Sequence, residues 1–119
     1  MSNFNQTAAE VVETEIEGLS AIVALLLDDS SDLTKSVNDA IARLSSLNGR
    51  LILTGMGKSG HVARKIAATF ASTGTAATFV HPAEASHGGL GMITRQDMIL
   101  ALSNSGETEE LRDILAYAR

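Results

Sequence analysis

The stretch that most constrains the fold is Leu51-Ile52-Leu53-Thr54-Gly55-Met56-Gly57-Lys58-Ser59-Gly60-His61. A short, unbroken apolar run leads into glycines and then into a helical pattern. Apolar runs without alternation mark strands buried on both faces, as in parallel sheets covered by helices. A second unit of the same kind, Met98-Ile99-Leu100-Ala101-Leu102-Ser103-Asn104-Ser105-Gly106-Glu107-Thr108, follows later in the chain. Two strand-to-helix turns, both rich in Gly and Ser, predict a parallel α/β sheet that holds a phosphate-bearing ligand between them.

The rest of the chain fits this frame. Val12, Ile16, Leu19, Val23 and Leu26 recur at helical spacing, predicting a first helix from Ala8 to about Asp28-Asp29 after a frayed, polar start. Ser31 or Asp32 can cap a second helix carrying Leu33, Val37, Ile41 and Leu44, with Asn48-Gly49 as its stop. After the first glycine loop, Val62, Ile66 and Phe70 form a stripe beside Ala63, Ala67 and Ala71, small enough to bring a helix close to a sheet. Ser72-Thr73-Gly74 ends that helix, and residues 76–80 read as the second strand. A short helical turn is expected to run through Ser86-His87, and Gly88-Gly89-Leu90-Gly91 reads as a mobile loop. Residues 97–103 form the third strand, and a last helix from Thr108 reaches Arg119 with no stop signal, as in a truncated chain.

Composition removes several function classes. The 119 residues carry a net charge of −5, against the clustered Lys and Arg that nucleic-acid phosphates require. Seven acidic and no basic residues fall in the first 34, a solvated helix face. There is no Cys, hence no disulfide framework and no thiolate metal site. No apolar run reaches the roughly 20 residues of a membrane span, and no signal-peptide pattern opens the chain, so a cytoplasmic protein without a membrane partner is expected.

The loops carry the chemistry. The loop over 55–60 is not a Walker A loop, because Lys58 precedes the last glycine. Nor is it a dinucleotide fingerprint, which needs an acidic residue about 20 positions on. What remains is a loop whose Gly57 and Ser59 backbone N–H groups can approach an oxyanion, with Lys58 as a point charge. Ser103, Asn104, Ser105 and Thr108 supply three hydroxyls and an amide within six residues, more than a helix cap requires. Glu107, Glu109 and Glu110 sit in the following turn, where a carboxylate beside a sugar phosphate is the natural proton carrier for enolisation. His81 and His87 bracket Pro82 and Glu84. The two imidazoles could hold a divalent metal with Glu84 or donate to sugar hydroxyls; His61 reads as structural.

Four motifs in order carry a resemblance: residues 54–61, Ala71-Ser72-Thr73-Gly74-Thr75, Phe79-Val80-His81-Pro82-Ala83-Glu84-Ala85 and residues 102–108. Together they closely resemble the arabinose-5-phosphate isomerases of the sugar isomerase (SIS) domain superfamily. The resemblance covers residues 45–119 and, loosely, the two N-terminal helices. It implies a three-layer αβα fold with a parallel sheet, with N-terminal helices over 1–48 and the first part of the SIS domain over 49–119. It implies interconversion of D-ribulose 5-phosphate and D-arabinose 5-phosphate through a cis-enediol, for Kdo and lipopolysaccharide synthesis. Lys58 and Glu110 match the catalytic positions; Gly74, Thr75, His81 and His87 match substrate contacts. No cofactor is implied, although His81 matches a site where inhibitory zinc binds. Members of the family are homotetramers whose sites are completed across subunits. They continue past the motifs present here with two more strands, later catalytic Glu and His residues and, in many, paired CBS modules. The usual His-Gly-Asp-Leu-Gly is His87-Gly88-Gly89-Leu90-Gly91 here, which removes the acid. The alternative from another class is a non-catalytic SIS-type module that binds a sugar phosphate; a 6-phospho-3-hexuloisomerase fits the Lys58 and His81 motifs less well.

Overall fold

A computed structural model describes residues 3–118. Backbone contacts divide the chain into two units, 1–43 and 44–119.

The first unit is helical. Helix α1 spans Phe4–Leu26, and helix α2 spans Asp32–Ser45 and runs into the second unit. Helix α1 starts four residues earlier than its apolar stripe suggests, because the Asn3 side chain accepts the Gln6 N–H and caps the first turn. Between the helices, the Ser31 and Thr34 hydroxyls both lie 2.7 Å from the Leu25 carbonyl, which also accepts the Asp28 N–H at the end of α1. The Thr34 N–H donates to Ser31 Oγ, so Ser31, rather than Asp32, caps α2. No residue of α1 is buried: Val12, Ile16, Leu19 and Val23 are each more than half exposed.

The second unit is built on strand β1, Leu51–Gly55, of which every residue is buried. Strand β2, Ala77–Phe79, pairs with it in parallel on one side, and strand β3, Met98–Leu102, on the other, in the order β2-β1-β3. Side chains alternate across a strand, so β1 feeds two cores. Leu51 and Leu53 pack with Ala63 and Ala67 of helix α3, Gly57–Ser72. Ile52 packs on the opposite face with Val80 and Ile93, with Ala85 of helix α4, Pro82–Ser86, and with Leu111 and Ile114, which lead into and lie within helix α5, Arg112–Tyr117. Helices on both faces of a parallel sheet make three layers, an α/β fold.

Three details differ from the sequence reading. In α3 the alanine row, not Val62, meets the sheet: Ala63 is 0% exposed and Val62 54%. Only a methyl group fits where the helix axis lies closest to β1, and Val62, one position earlier, points to solvent. Gly89–Met92 is a turn of 3₁₀ helix rather than an unstructured loop; Gly88, with φ of 110°, supplies the left-handed residue that starts it. The last helix begins as a 3₁₀ turn over Glu109–Leu111 and becomes α-helical only from Arg112 to Tyr117; Arg119 lies outside the described residues. Among the described residues no helix is long and apolar enough to cross a membrane.

Asp97 fixes the N-terminal end of the sheet. Its carboxylate is 3% exposed and accepts the N–H groups of Thr94 (2.8 Å) and Arg50 (2.7 Å), with the Arg50 guanidinium 3.4 Å away. Gly49 lies so close that a Cβ there would stand 2.6 Å from the Asp97 carboxylate. The Thr94 N–H first, and then the Arg50 N–H, hold the Asp97 carboxyl below its ordinary value despite its burial. A lowered folded value means that the stabilisation is complete above the ordinary carboxylate range and is lost as pH falls through the folded value. Asp97→Ala is expected to lower stability by about 3 kcal/mol at pH 7, since the Thr94 and Arg50 N–H groups both lose a charged acceptor. In urea unfolding at pH 7 and at pH 3, the gap between wild type and variant should narrow at the lower pH.

Candidate functional site

The order β2-β1-β3 creates a switch point. The chain leaves β1 toward α3 on one face of the sheet and leaves β3 toward α5 on the other, as the two cores show. Open α/β sheets bind ligands in the crevice that such diverging connections leave at the carboxyl ends of the strands. The loops after β1 and β3 are the two glycine- and serine-rich segments.

On the β1 side, backbone contact sets the shape. A Cβ on Gly60 would stand 2.7 Å from the Gly55 carbonyl oxygen, and one on Gly55 would meet Gly60 N at 3.1 Å. Only two glycines allow the strand end and the first turn of α3 to come this close. Gly57 takes φ of 54°, which turns the chain into the helix, and Met56 at the cap position contributes no side-chain acceptor. The N-terminus of this 16-residue helix therefore keeps its leading N–H groups free of a side-chain cap, beside the exposed Lys58 and half-buried Ser59. That is an anion site by backbone geometry and dipole together.

On the β3 side, Ser103 Oγ and Thr108 Oγ1 are hydrogen-bonded at 2.7 Å, and Ser103 Oγ also accepts the Gly106 N–H at 3.0 Å. Ser105 Oγ accepts the Glu107 N–H at 3.1 Å. The hydroxyls thus close the loop on itself around Gly106, whose φ is 72°. Thr108 does not cap the turn that follows, so its hydroxyl is not committed to that turn. Asn104 is exposed at the tip. Among the three glutamates, Glu109 is ion-paired with Arg112 at 3.0 Å, whereas Glu110 is exposed and has no ion pair among the described residues. The exposed i,i+3 pair engages Glu109 and leaves Glu110 available.

The groove beside the β1 loop is a cavity of about 200 Å³ lined by Gly55, Gly57, Gly60, His61, Arg64, Phe79 and His81. His81 caps α4: its Nδ1 accepts the Ala83 N–H at 3.1 Å, and its ring packs edge-on to Phe79. With Nδ1 accepting, neutral His81 carries its proton on Nε2 and offers the groove a donor. A metal on Nε2 would move that proton to Nδ1, against the Ala83 N–H. No three His, Cys, Asp or Glu among the described residues gather to hold a metal ion. His61 lines the same groove rather than serving only the helix. Arg64, which the sequence reading passes over, lies 4.0 Å above the Phe79 ring and has no ion pair among the described residues. Its one legible signal is a cation one helical turn beyond the glycine loop.

The remaining residues lie elsewhere. Gly74 and Thr75 do not join the crevice; they close the far end of α3, about 24 Å along its axis. Gly74 takes φ of 98° and the Thr75 N–H bonds the Phe70 carbonyl at 3.0 Å, a Schellman closure that accounts for both residues within this chain. His87 ends α4, its N–H bonded to Ala83 and Glu84 carbonyls and its ring exposed; it is not among the groove-lining residues.

With this geometry in hand, comparison with known proteins is direct. The SIS domain family profile matches residues 43–119. The chain belongs to the SIS domain family. It is 50% identical over 113 residues to the arabinose 5-phosphate isomerase KdsD of Yersinia pestis and 42% identical to KdsD of Escherichia coli K12, covering 95% of this chain and 32% of each relative. An uncharacterised Rickettsia prowazekii protein is 47% identical over 98% of this chain and 34% of its own length. The chain therefore spans about a third of the relatives it matches. Among solved structures, Escherichia coli CFT073 c3406 in complex with arabinose 5-phosphate superposes with a TM-score of 0.74 at 40% identity, over 98% of this chain and 60% of that one. A Listeria monocytogenes protein at 24% identity gives a TM-score of 0.77 over 98% of this chain and 59% of that one, a likeness of fold.

The Gly55–Gly60 contact offers a check on the SIS loop. Gly60→Ala should force the loop open, lowering stability by about 2 kcal/mol and abolishing stabilisation by phosphate in a thermal melt. Gly18→Ala, an exposed mid-helix position with open space around it, should instead raise stability by about 1 kcal/mol.

Proposed function

We propose that this SIS chain serves an aldose–ketose isomerase that interconverts D-arabinose 5-phosphate and D-ribulose 5-phosphate. The observation that carries the reading is the pairing, at one switch point, of an α3 N-terminus without a side-chain cap and a loop of donors on β3. The first suits the phosphate or a developing oxyanion, and the second offers Ser103, Asn104, Ser105 and Thr108 to a phosphate monoester. The relatives named as arabinose 5-phosphate isomerases, and the structure solved with arabinose 5-phosphate, support the choice of sugar.

In the proposed reaction the unpaired Glu110 carboxylate takes the proton from C2 of the open-chain aldose. The electron pair of the broken C–H bond forms the C1–C2 double bond of the enediol as O1 gains a proton. Returning the proton to C1, while O2 loses its own, yields the ketose with no atom gained or lost. Lys58, at the first turn of α3, stabilises negative charge on the enediolate oxygens, and His81 Nε2–H orients a sugar hydroxyl. No cofactor enters this proton bookkeeping.

The same reading has the product used for Kdo and lipopolysaccharide synthesis in the cytoplasm, and has the protein act as a homotetramer. The apolar stripe of Val12, Ile16, Leu19 and Val23 on α1, each more than half exposed, is a surface that suits such an assembly.

Turnover of D-arabinose 5-phosphate by the chain and by two variants tests the proposal. Glu110→Gln, isosteric but unable to accept the proton, should lower kcat by a factor of about 10² to 10⁴; Lys58→Ala should lower it comparably. Thermal stabilisation by the sugar phosphate without turnover would indicate a binding module or an incomplete enzyme. Absence of both would reject a sugar-phosphate site in this chain.

A further inference from the structure

Strand β1 ends in one side chain that folding alone does not explain. Thr54 is 0% exposed, and its hydroxyl is the one buried side-chain polar atom without a hydrogen-bond partner among the described residues. Thr54 alternates with Leu53, so it points with Ile52 toward the core of Val80, Ala85, Leu111 and Ile114, and it sits opposite Ala101 in the ladder. A valine has the same shape and no polar group to desolvate, so an orphan threonine here costs stability that valine would not. Buried orphans of this kind call for a specific cause.

Position and chemistry supply one. Thr54 is the next-to-last residue of β1, directly before the glycine loop, and Ser103 stands two positions past Ala101, its ladder partner. On their own, Ser103 and Thr108 satisfy each other, 2.7 Å apart. A phosphate that accepts both hydroxyl protons breaks that arrangement and leaves two oxygens with acceptor capacity and one fewer donor. Thr54, whose ladder partner Ala101 precedes Ser103 by two residues on the same face of the sheet, carries an uncommitted Oγ1–H donor.

We propose that Thr54 is a positioning residue of the crevice. Its hydroxyl takes up a hydrogen bond when a phosphate-bearing ligand engages the loop over 103–108, directly or through a water, and so holds that loop in its donating arrangement. Thr54 does not touch the ligand. The inference rests on the crevice being the phosphate site, and it deepens that reading rather than replacing it.

Thermal melts and titration calorimetry on wild type, Thr54→Val and Thr54→Ser, each with D-arabinose 5-phosphate and separately with inorganic phosphate, decide the matter. The expected result has two parts. Without ligand, Thr54→Val melts no lower than wild type. With ligand, it binds about five- to tenfold more weakly, while Thr54→Ser binds as wild type does. Thr54→Val binding either probe as tightly as wild type overturns the inference and leaves the isomerase reading intact. Thr54→Val melting lower without ligand, or failing to fold, also overturns it, because the hydroxyl then has a partner before any ligand arrives. If wild type binds inorganic phosphate but not the sugar phosphate, the isomerase reading fails, and the phosphate series alone judges Thr54. If wild type binds neither, both fall.

Discussion

Every functional element of this chain is positioned by a single five-residue strand. Strand β1 is buried on both faces and flanked on both edges, so its backbone groups meet partners only in the parallel ladders with β2 and β3. Ladder bonds formed away from water cannot be exchanged for hydration, and this fixes the register of both neighbours. Fixed register in turn fixes where three chain segments emerge at the carboxyl ends. The glycine loop, the His81 cap and the loop over 103–108 emerge side by side because Leu53 pairs with Phe79 and Gly55 with Leu102 in the sheet.

The two ends of that sheet are built differently. At the N-terminal end, polar groups are used up: Asp97 takes two N–H groups, Thr75 closes α3, and Gly49 presses against Gln96 and Asp97. At the C-terminal end they are left over among the described residues: an α3 terminus without a side-chain cap, Arg64 stacked on Phe79 without a carboxylate partner, Glu110 without an ion pair and the Thr54 hydroxyl without a hydrogen-bond partner. A chain optimised only to fold would not concentrate its unmet polar groups on one edge. Such an edge is where binding replaces what folding leaves unmet.

Much of this is legible in the sequence. Leu51-Ile52-Leu53 announces a doubly buried strand because no polar residue interrupts it, and the two Gly/Ser loops announce the crevice because their glycines and hydroxyls exceed what turns require. The rest depends on long-range geometry. Gly74-Thr75 reads as part of a binding motif, yet its position at the far end of α3 follows from helix length and direction. The 3₁₀ start of the last helix escapes a pattern reading because Glu109–Leu111 has ordinary helical composition, and its geometry is set by seating Leu111 in the core. Thr54 attracts no notice in the sequence because a threonine in a strand is unexceptional until the atoms around its hydroxyl are known.

The Gly55–Gly60 contact also has a consequence for how the site can move. Strand and helix meet there backbone to backbone, with no side chain between them to rotate or compress. The β1 side of the crevice therefore behaves as a fixed jaw. On the β3 side, the serine and threonine hydroxyls hold the loop by bonds that a ligand can exchange one for one. Ligand capture in this crevice is accordingly one-sided: adjustment falls on residues 103–108, while the wall formed by residues 55–60 keeps its shape whether or not anything is bound.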